Sequence, residues 1–105
     1  MITVDLTDVP VLWISMQSSH RKKTTMNQLF SSFGFKKVKR IEAINAKKYN
    51  IPHHVALIKS YQRAFQHAPK DNFIILEDDC VPRRIVTEIE IPSDTDCFYL
   101  GLSKW

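Results

Sequence analysis

The feature that most constrains the fold is a short apolar run, residues 73–76, that ends in three consecutive carboxylates, Glu77, Asp78 and Asp79. An unbroken run of aromatic, β-branched and aliphatic residues is typical of a strand buried on both faces of a parallel sheet. Three adjacent acidic side chains repel one another, so we expect a cation to compensate them, most simply a divalent metal with oxygen ligands. In open α/β sheets, ligands bind beyond the carboxyl ends of the strands, where these acids fall.

The rest of the chain alternates between strand and helix patterns. Strands are predicted at 11–15, 37–44, 73–76 and 96–101, and helices at 19–33 and 53–67. Gly34 is expected to end the first helix. Residues 45–52 are predicted as a loop, 83–90 as a short helix or irregular segment, and 92–94 as a turn. This order predicts an α/β fold of the three-layer αβα type, with a mainly parallel sheet of about four strands in a single domain over residues 1–105.

Composition excludes several classes of protein. No apolar run approaches the ~20 residues that a membrane-spanning helix needs. No signal peptide is visible at the start of the chain, and two cysteines are too few for a disulfide framework, so we expect a cytoplasmic protein with reduced thiols. The net charge of +4 favours a phosphate-bearing ligand but does not by itself indicate nucleic acid.

In a parallel sheet the first and third predicted strands would end at one edge. Residues 15–23 and 77–79 would then face a common crevice. One side of the crevice offers a helix N-terminus and the basic run at 21–23, and the other offers a carboxylate-bound cation. A diphosphate that bridges the metal and an arginine or lysine is the simplest ligand for this arrangement.

Several segments in the same order resemble the start of glycosyltransferase family 25 domains, the lipopolysaccharide-type sugar transferases, which have a GT-A fold. The segments that carry the resemblance are Trp13-Ile14-Ser15, Met26, Phe33-Gly34-Phe35, 40–44, 55–60, 73–80, 92–96 and 99–101. The most specific is Ile75-Leu76-Glu77-Asp78-Asp79, which is similar to the metal-binding acidic motif of that family. The Ser-His pair of the family is Ser60-Tyr61 here. The usual family domain is considerably longer, so we expect a truncated domain without the acceptor half, and the catalytic residue is unknown.

The resemblance implies transfer of a sugar from a nucleoside diphosphate, most simply a UDP-sugar, to a glycan or glycoprotein acceptor. Asp79 is the first candidate metal ligand, with Glu77 beside it, and Mg²⁺ or Mn²⁺ suits such an oxygen-rich site. Glu77 and Asp78 would act on the metal directly, through water, or on ribose and sugar hydroxyls.

The remaining candidate residues surround the same crevice. Ser15 and Met16 would line the nucleoside pocket at the end of the first strand. Arg21, or a neighbouring lysine such as Lys22, would contact phosphate or the base, and Arg83 is a further phosphate ligand.

Three other functions remain open. The chain could be a module that binds a nucleotide or nucleotide sugar without turnover, because the acceptor half is missing. A phosphoacceptor receiver module also has an acidic pair after a strand, but it needs an aspartate, a threonine and a lysine further downstream. A purely structural or interaction domain is the third. Because so short a chain buries a limited core, we also expect a homodimer or a further C-terminal segment.

Overall fold

The computed structural model describes residues 1–16, 20–77 and 85–97. The elements are β1 Ile2–Asp5, β2 Val11–Ser15, α1 His20–Phe33, β3 Val38–Glu42, α2 Ala46–Tyr49, α3 His53–Gln66, β4 Ile74–Glu77 and β5 Glu88–Ile91. The predicted α/β class is confirmed, and so are both long helices. None of the described helices is long and apolar enough to cross a bilayer.

Three of the strands form a parallel sheet in the order β3-β2-β4. Val11 of β2 pairs with Val38 on one side and with Ile74 on the other. All five residues of β2 are buried, and β2 is the central strand of the three that are described. Among the described strands, β3 lies at the edge of this sheet, which agrees with its predicted position near an edge.

The expectation that residues 73–76 form the strand buried on both faces needs correction. The four residues of β4 are only half-buried. Within the described part of the chain, β4 has β2 on one side and no strand on the other, which leaves its outer edge less covered. The strand that precedes the three acids therefore lies beside the central strand rather than being it.

Alternate residues of β2 pack into two separate apolar clusters. Val11 and Trp13 join Met26, Leu29 and Phe30 of α1. The ring of Trp13 meets that of Phe30 edge to face, with centroids 5.4 Å apart.

The second cluster contains Leu12 and Ile14 together with Ile41 of β3 and Ala64 of α3. Because neighbouring residues of a strand point to opposite faces, α1 and α3 lie against opposite sides of the sheet. This arrangement follows from a β2 sequence that is apolar at four consecutive positions.

The C-terminus of α1 explains the role predicted for Gly34. Its backbone has φ of 74°, a left-handed conformation that glycine adopts without strain. The Gly34 amide donates to the Ser31 carbonyl, and the Phe35 amide donates to the Phe30 carbonyl, both at 3.2 Å. These two bonds form a Schellman motif, and the ring of Phe35 lies against that of Phe30 as the accompanying apolar contact.

A second, two-stranded sheet pairs β1 with β5 in antiparallel register, Ile2 opposite Ile91 and Val4 opposite Ile89. The sequence analysis predicted neither strand, and the helix or irregular segment predicted at 83–90 is wrong for Glu88 to Glu90. Residues 88–91 alternate acidic and apolar side chains, which is the period of a strand. That alternation was the available signal.

The loop predicted at 45–52 contains the short helix α2. Asn45 caps it by accepting hydrogen bonds from the amides of Lys47 and Lys48, and Asn50 ends it in a left-handed conformation. The predicted turn at 92–94 is confirmed by the bond from the Thr95 amide to the Pro92 carbonyl at 3.1 Å.

The fourth strand, predicted at 96–101, lies mostly outside the described residues, since only Asp96 and Cys97 are described and neither is in a strand. The described parallel sheet therefore has three strands.

Candidate functional site

The carboxyl ends of β2 and β4 lie at the same edge of the sheet, which we call the carboxyl edge. The strands are parallel, and Ile14 of β2 pairs with Glu77 of β4. Ser15 and Met16 follow directly from that pair. The prediction that the ends of these two strands share one edge is therefore confirmed.

Glu77 is the one member of the acidic triplet that the structure describes. It is half-buried, and its Oε1 accepts a hydrogen bond from the Tyr61 hydroxyl of α3 at 3.2 Å. Within the described ranges, no lysine or arginine forms a salt bridge with it. The carboxylate is thus positioned by a neutral donor and keeps its negative charge uncompensated by those side chains.

A divalent ion requires more ligands than Glu77 alone. Its carboxylate oxygens are the donors that Mg²⁺ and Mn²⁺ prefer. Among residues 1–16, 20–77 and 85–97, no group of three histidine, cysteine, aspartate or glutamate side chains is placed to hold a metal. The other predicted contributors, Asp78 and Asp79, lie outside these ranges, and so does the predicted phosphate ligand Arg83. The donor chemistry of Glu77 fits the ion, and its partners remain predictions.

The two predicted nucleoside contacts at the end of β2 differ in exposure. Ser15 is buried, and its hydroxyl donates to the Met16 carbonyl at 3.2 Å. The Ser15 carbonyl accepts from the Ala43 amide at 3.0 Å and from Arg40 Nη2 at 2.7 Å. Ser15 therefore orders the backbone at this edge, whereas Met16 lines an open cleft.

That cleft, which we call the edge cleft, has a volume of about 240 Å³. Its lining residues come from the end of β2, from β3 and the segment after it, from α2 and from α3: Met16, Glu42, Ala43, Ile44, Asn45, Lys48, Tyr49 and Arg63. They include two cationic side chains, Lys48 and Arg63, and the exposed ring of Tyr49. Charge for phosphate and a flat apolar surface for a base thus occur in one depression.

Two arginines hold the β3 side of the edge cleft. Arg63 Nη1 donates to the Glu42 carbonyl at 3.0 Å, and Arg40 Nη1 pairs with Glu42 Oε2 at 2.6 Å. Since Arg40 also donates to Ser15, it joins the end of β2 to the end of β3. The bonds fix the backbone at the cleft and occupy the Glu42 carboxylate.

A buried serine holds the segment that follows β3. Ser60 Oγ accepts from the Ile44 amide at 2.9 Å and donates to the Ala56 carbonyl at 2.8 Å. Ser60 is one of two buried polar residues in the described chain. It anchors Ile44, which lines the cleft, to α3.

The predicted basic residues Arg21 and Lys22 lie in the first turn of α1. Their side chains are outside what the structure describes, so their contacts with phosphate remain predictions. Sequence reasoning did not identify Lys48, Tyr49 or Arg63. Lys48 and Tyr49 fall in the segment predicted as a loop, and Arg63 is on a predicted helix with no motif to single it out. Lys48 and Tyr49 could have been identified from the sequence as a basic and aromatic pair soon after a predicted strand.

No protein-family model, no curated protein and no solved structure matches this chain. The resemblance to glycosyltransferase family 25 therefore rests on sequence segments alone, and the family remains a prediction.

Proposed function

We propose that the chain is the nucleotide-sugar-binding part of a metal-dependent glycosyltransferase of the family 25 type. Its full architecture would be a truncated GT-A fold, with a fourth parallel strand between two helical layers. The observation that supports this most is the position of Glu77 on the same edge of the sheet as Met16 and the cationic edge cleft. Ligands of parallel α/β sheets bind at this edge.

The proposal assigns a part to residues of the edge cleft and to the residues predicted from the sequence. The nucleoside lies in the edge cleft against Met16 and the Tyr49 ring, and Lys48 and Arg63 compensate phosphate charge. Asp79 and Glu77 hold Mg²⁺ or Mn²⁺, which when bound offsets the charge on the departing diphosphate. Tyr61 orients Glu77 through its hydroxyl. Arg21, Lys22 and Arg83 supply further phosphate contacts.

The transferred sugar would pass from a UDP-sugar to a glycan or glycoprotein, as in lipopolysaccharide biosynthesis. The catalytic base remains unassigned. Glu42 is the one acid among the described residues that line the edge cleft, and Arg40 pairs with it. This observation favours a second candidate function, a module that binds the nucleotide sugar without turning it over.

The first experiment measures UDP binding by isothermal titration calorimetry, with and without Mn²⁺, on the wild type and on Asp79→Asn. Loss of one charged ligand should weaken Mn²⁺-dependent UDP binding by roughly tenfold or more. Asp94→Asn, in the turn at 92–94, is the control with the same change of charge. Equal UDP and Mn²⁺ affinities in the wild type and Asp79→Asn would refute the metal site and favour a structural domain.

The edge cleft has its own matched pair of variants. Lys47 and Lys48 are adjacent and exposed on α2, but only Lys48 lines the cleft. Lys48→Gln should weaken UDP binding, and Lys47→Gln should not. Hydrolysis of a radiolabelled UDP-sugar then separates the two candidates, because a transferase releases the sugar slowly to water and a binding module leaves it intact.

A further inference from the structure

A second concave surface lies at the opposite edge of the sheet, where β2 and β3 begin. We call it the basic groove. Its volume is about 280 Å³, and it is lined by Pro10, Val11, Leu12, Lys37, Val38, Lys39, His67 and Pro69. It lies at the end of the sheet away from Glu77 and Met16, so the proposed nucleotide site does not use it.

Basic side chains converge on this groove. Lys37, Lys39 and His67 line it, and none of its described lining residues is acidic. Lys39 Nζ lies 3.2 Å from His67 Nδ1. The ammonium of Lys39 is a donor, and the imidazole of His67 carries at least one ring N–H. An anion placed beside them could accept a hydrogen bond from each side chain.

The neighbouring lysine, Lys36, has a carboxylate partner. Lys36 Nζ pairs with Asp8 Oδ1 at 3.0 Å. In the described ranges neither Lys37 nor Lys39 has a carboxylate partner, and Lys39 contacts another base instead. The positive charge of the groove is therefore available to an external ligand.

The rest of the groove is apolar. The side chains of Pro10, Val38 and Pro69, which line it, have no hydrogen-bonding groups, and Val38 is exposed. A ligand that fills it needs a small apolar part as well as a negative charge. The volume is near the lower limit of pockets that bind small molecules, so the ligand must be compact.

The hydrogen-bond donors that line the groove indicate which kind of anion it would bind. A carboxylate is recognised best by the planar fork of arginine, and none of the described residues that line the groove is an arginine. Lysine and histidine act as separate point donors, which suit the three oxygens and the higher charge of a phosphate group.

We propose that the basic groove binds a small soluble phosphate monoester with a compact apolar substituent. The phosphate contacts Lys39 and His67, with Lys37 beside them, and the substituent lies on Val38 and the two prolines. This site is separate from the nucleotide site, and its test does not depend on the proposed transferase function.

Phenyl phosphate is the probe, and the full chain is titrated by calorimetry and by NMR of the histidine ring protons. The His67 signals should shift on binding, and those of His53 at the start of α3 should not. Lys39→Gln and His67→Gln should each weaken binding by about tenfold, since each removes one of the two proposed phosphate contacts. Lys39 and His67 belong to exposed surface, so unchanged circular dichroism should show that both variants fold.

Lys59→Gln is the control, because Lys59 is exposed on α3, outside the groove, and carries the same charge. It should change the affinity by less than about twofold at 0.15 M salt, where distant charges are screened. Equal losses in Lys59→Gln and Lys39→Gln would mean diffuse attraction and would overturn the proposal. Equal affinities for inorganic phosphate and phenyl phosphate would show that the apolar residues do not contribute to binding, and would overturn that part of the proposal. Binding of anionic lipid vesicles without binding of phenyl phosphate would also overturn it.

Discussion

The bond between Ser60 and Ile44 supports a quantitative prediction for the variant Ser60→Ala. Ser60 is buried, and its hydroxyl is the acceptor for the Ile44 amide at 2.9 Å. Removing the hydroxyl leaves that amide without its partner at a partly buried position, which costs about 1–3 kcal/mol. Alanine is the better helix former by roughly 0.5 kcal/mol, which offsets part of the loss. We expect the free energy of unfolding to fall by about 1–2 kcal/mol.

The assay is urea denaturation followed by circular dichroism, with calorimetry for the melting temperature. For a domain of this size, the expected loss corresponds to a fall in Tm of roughly 4–16 °C. The matched control is Ser32→Ala. Ser32 also donates to a carbonyl four residues earlier in its helix, that of Gln28 at 2.9 Å, but it is exposed, and within the described residues it accepts no hydrogen bond from a loop. We expect Ser32→Ala to be neutral or slightly stabilising.

Two outcomes would refute this account of Ser60. One is an unfolding free energy of Ser60→Ala within about 0.5 kcal/mol of the wild type, the scatter of ordinary surface substitutions. The other is an equal loss in Ser32→Ala, which would trace the effect to the helix rather than to Ile44. If the nucleotide binds in the edge cleft, Ser60→Ala should also weaken UDP binding, because Ile44 lines that cleft.

Three further predictions concern other parts of the chain. Gly34→Ala should lower the free energy of unfolding by about 1–2 kcal/mol in urea denaturation, through the left-handed backbone alone, since the added Cβ would meet Thr7 Cγ2 at an ordinary 3.5 Å. The Thr7 hydroxyl and amide donate to Asp5 and hold the pKa of that carboxyl below its usual value. The ionised Asp5 carboxylate therefore stabilises the folded state above its unfolded pKa, and this stabilisation is lost as the pH falls through its folded pKa. Thr7→Val should raise the Asp5 pKa in an NMR titration and make the free energy of unfolding depend less on acid pH. Tyr61→Phe removes the donor to Glu77 and should cost about 1 kcal/mol in urea denaturation, while a wild-type Mn²⁺ affinity in this variant would show that Tyr61 does not position a metal ligand.

Much of the local structure could be predicted from the sequence. The apolar stretch of β2, the helical spacing of α1 and α3 and the glycine that ends α1 are local patterns with local causes. Apolar residues on one face of a helix, or at every position of a short strand, show which elements form because burial of those positions is needed in any compact fold. The shared edge of β2 and β4 followed from the same alternation of strand and helix.

The position of each strand in the sheet, and its pairing partner, could not be predicted from these patterns. β4 has the sequence of a doubly buried strand, yet β2 is central because it alone has described strands on both sides. β1 and β5 pair although more than 80 residues separate them in the sequence. The sequence of a short strand does not specify which other strand it will pair with.

The residues that line the edge cleft likewise could not be grouped into one site from the sequence. Met16 after β2, Lys48 of α2 and Arg63 of α3 are distant in the sequence and meet only when α3 packs against the sheet and α2 follows β3. The amino-acid sequence by itself determined β2, β3, β4, α1 and α3 and the acids at one strand end, whereas β1, β5 and α2 were not predicted from it. The tertiary structure decided which cations, rings and backbone amides surround that edge, because contacts between distant residues depend on packing and not on periodicity.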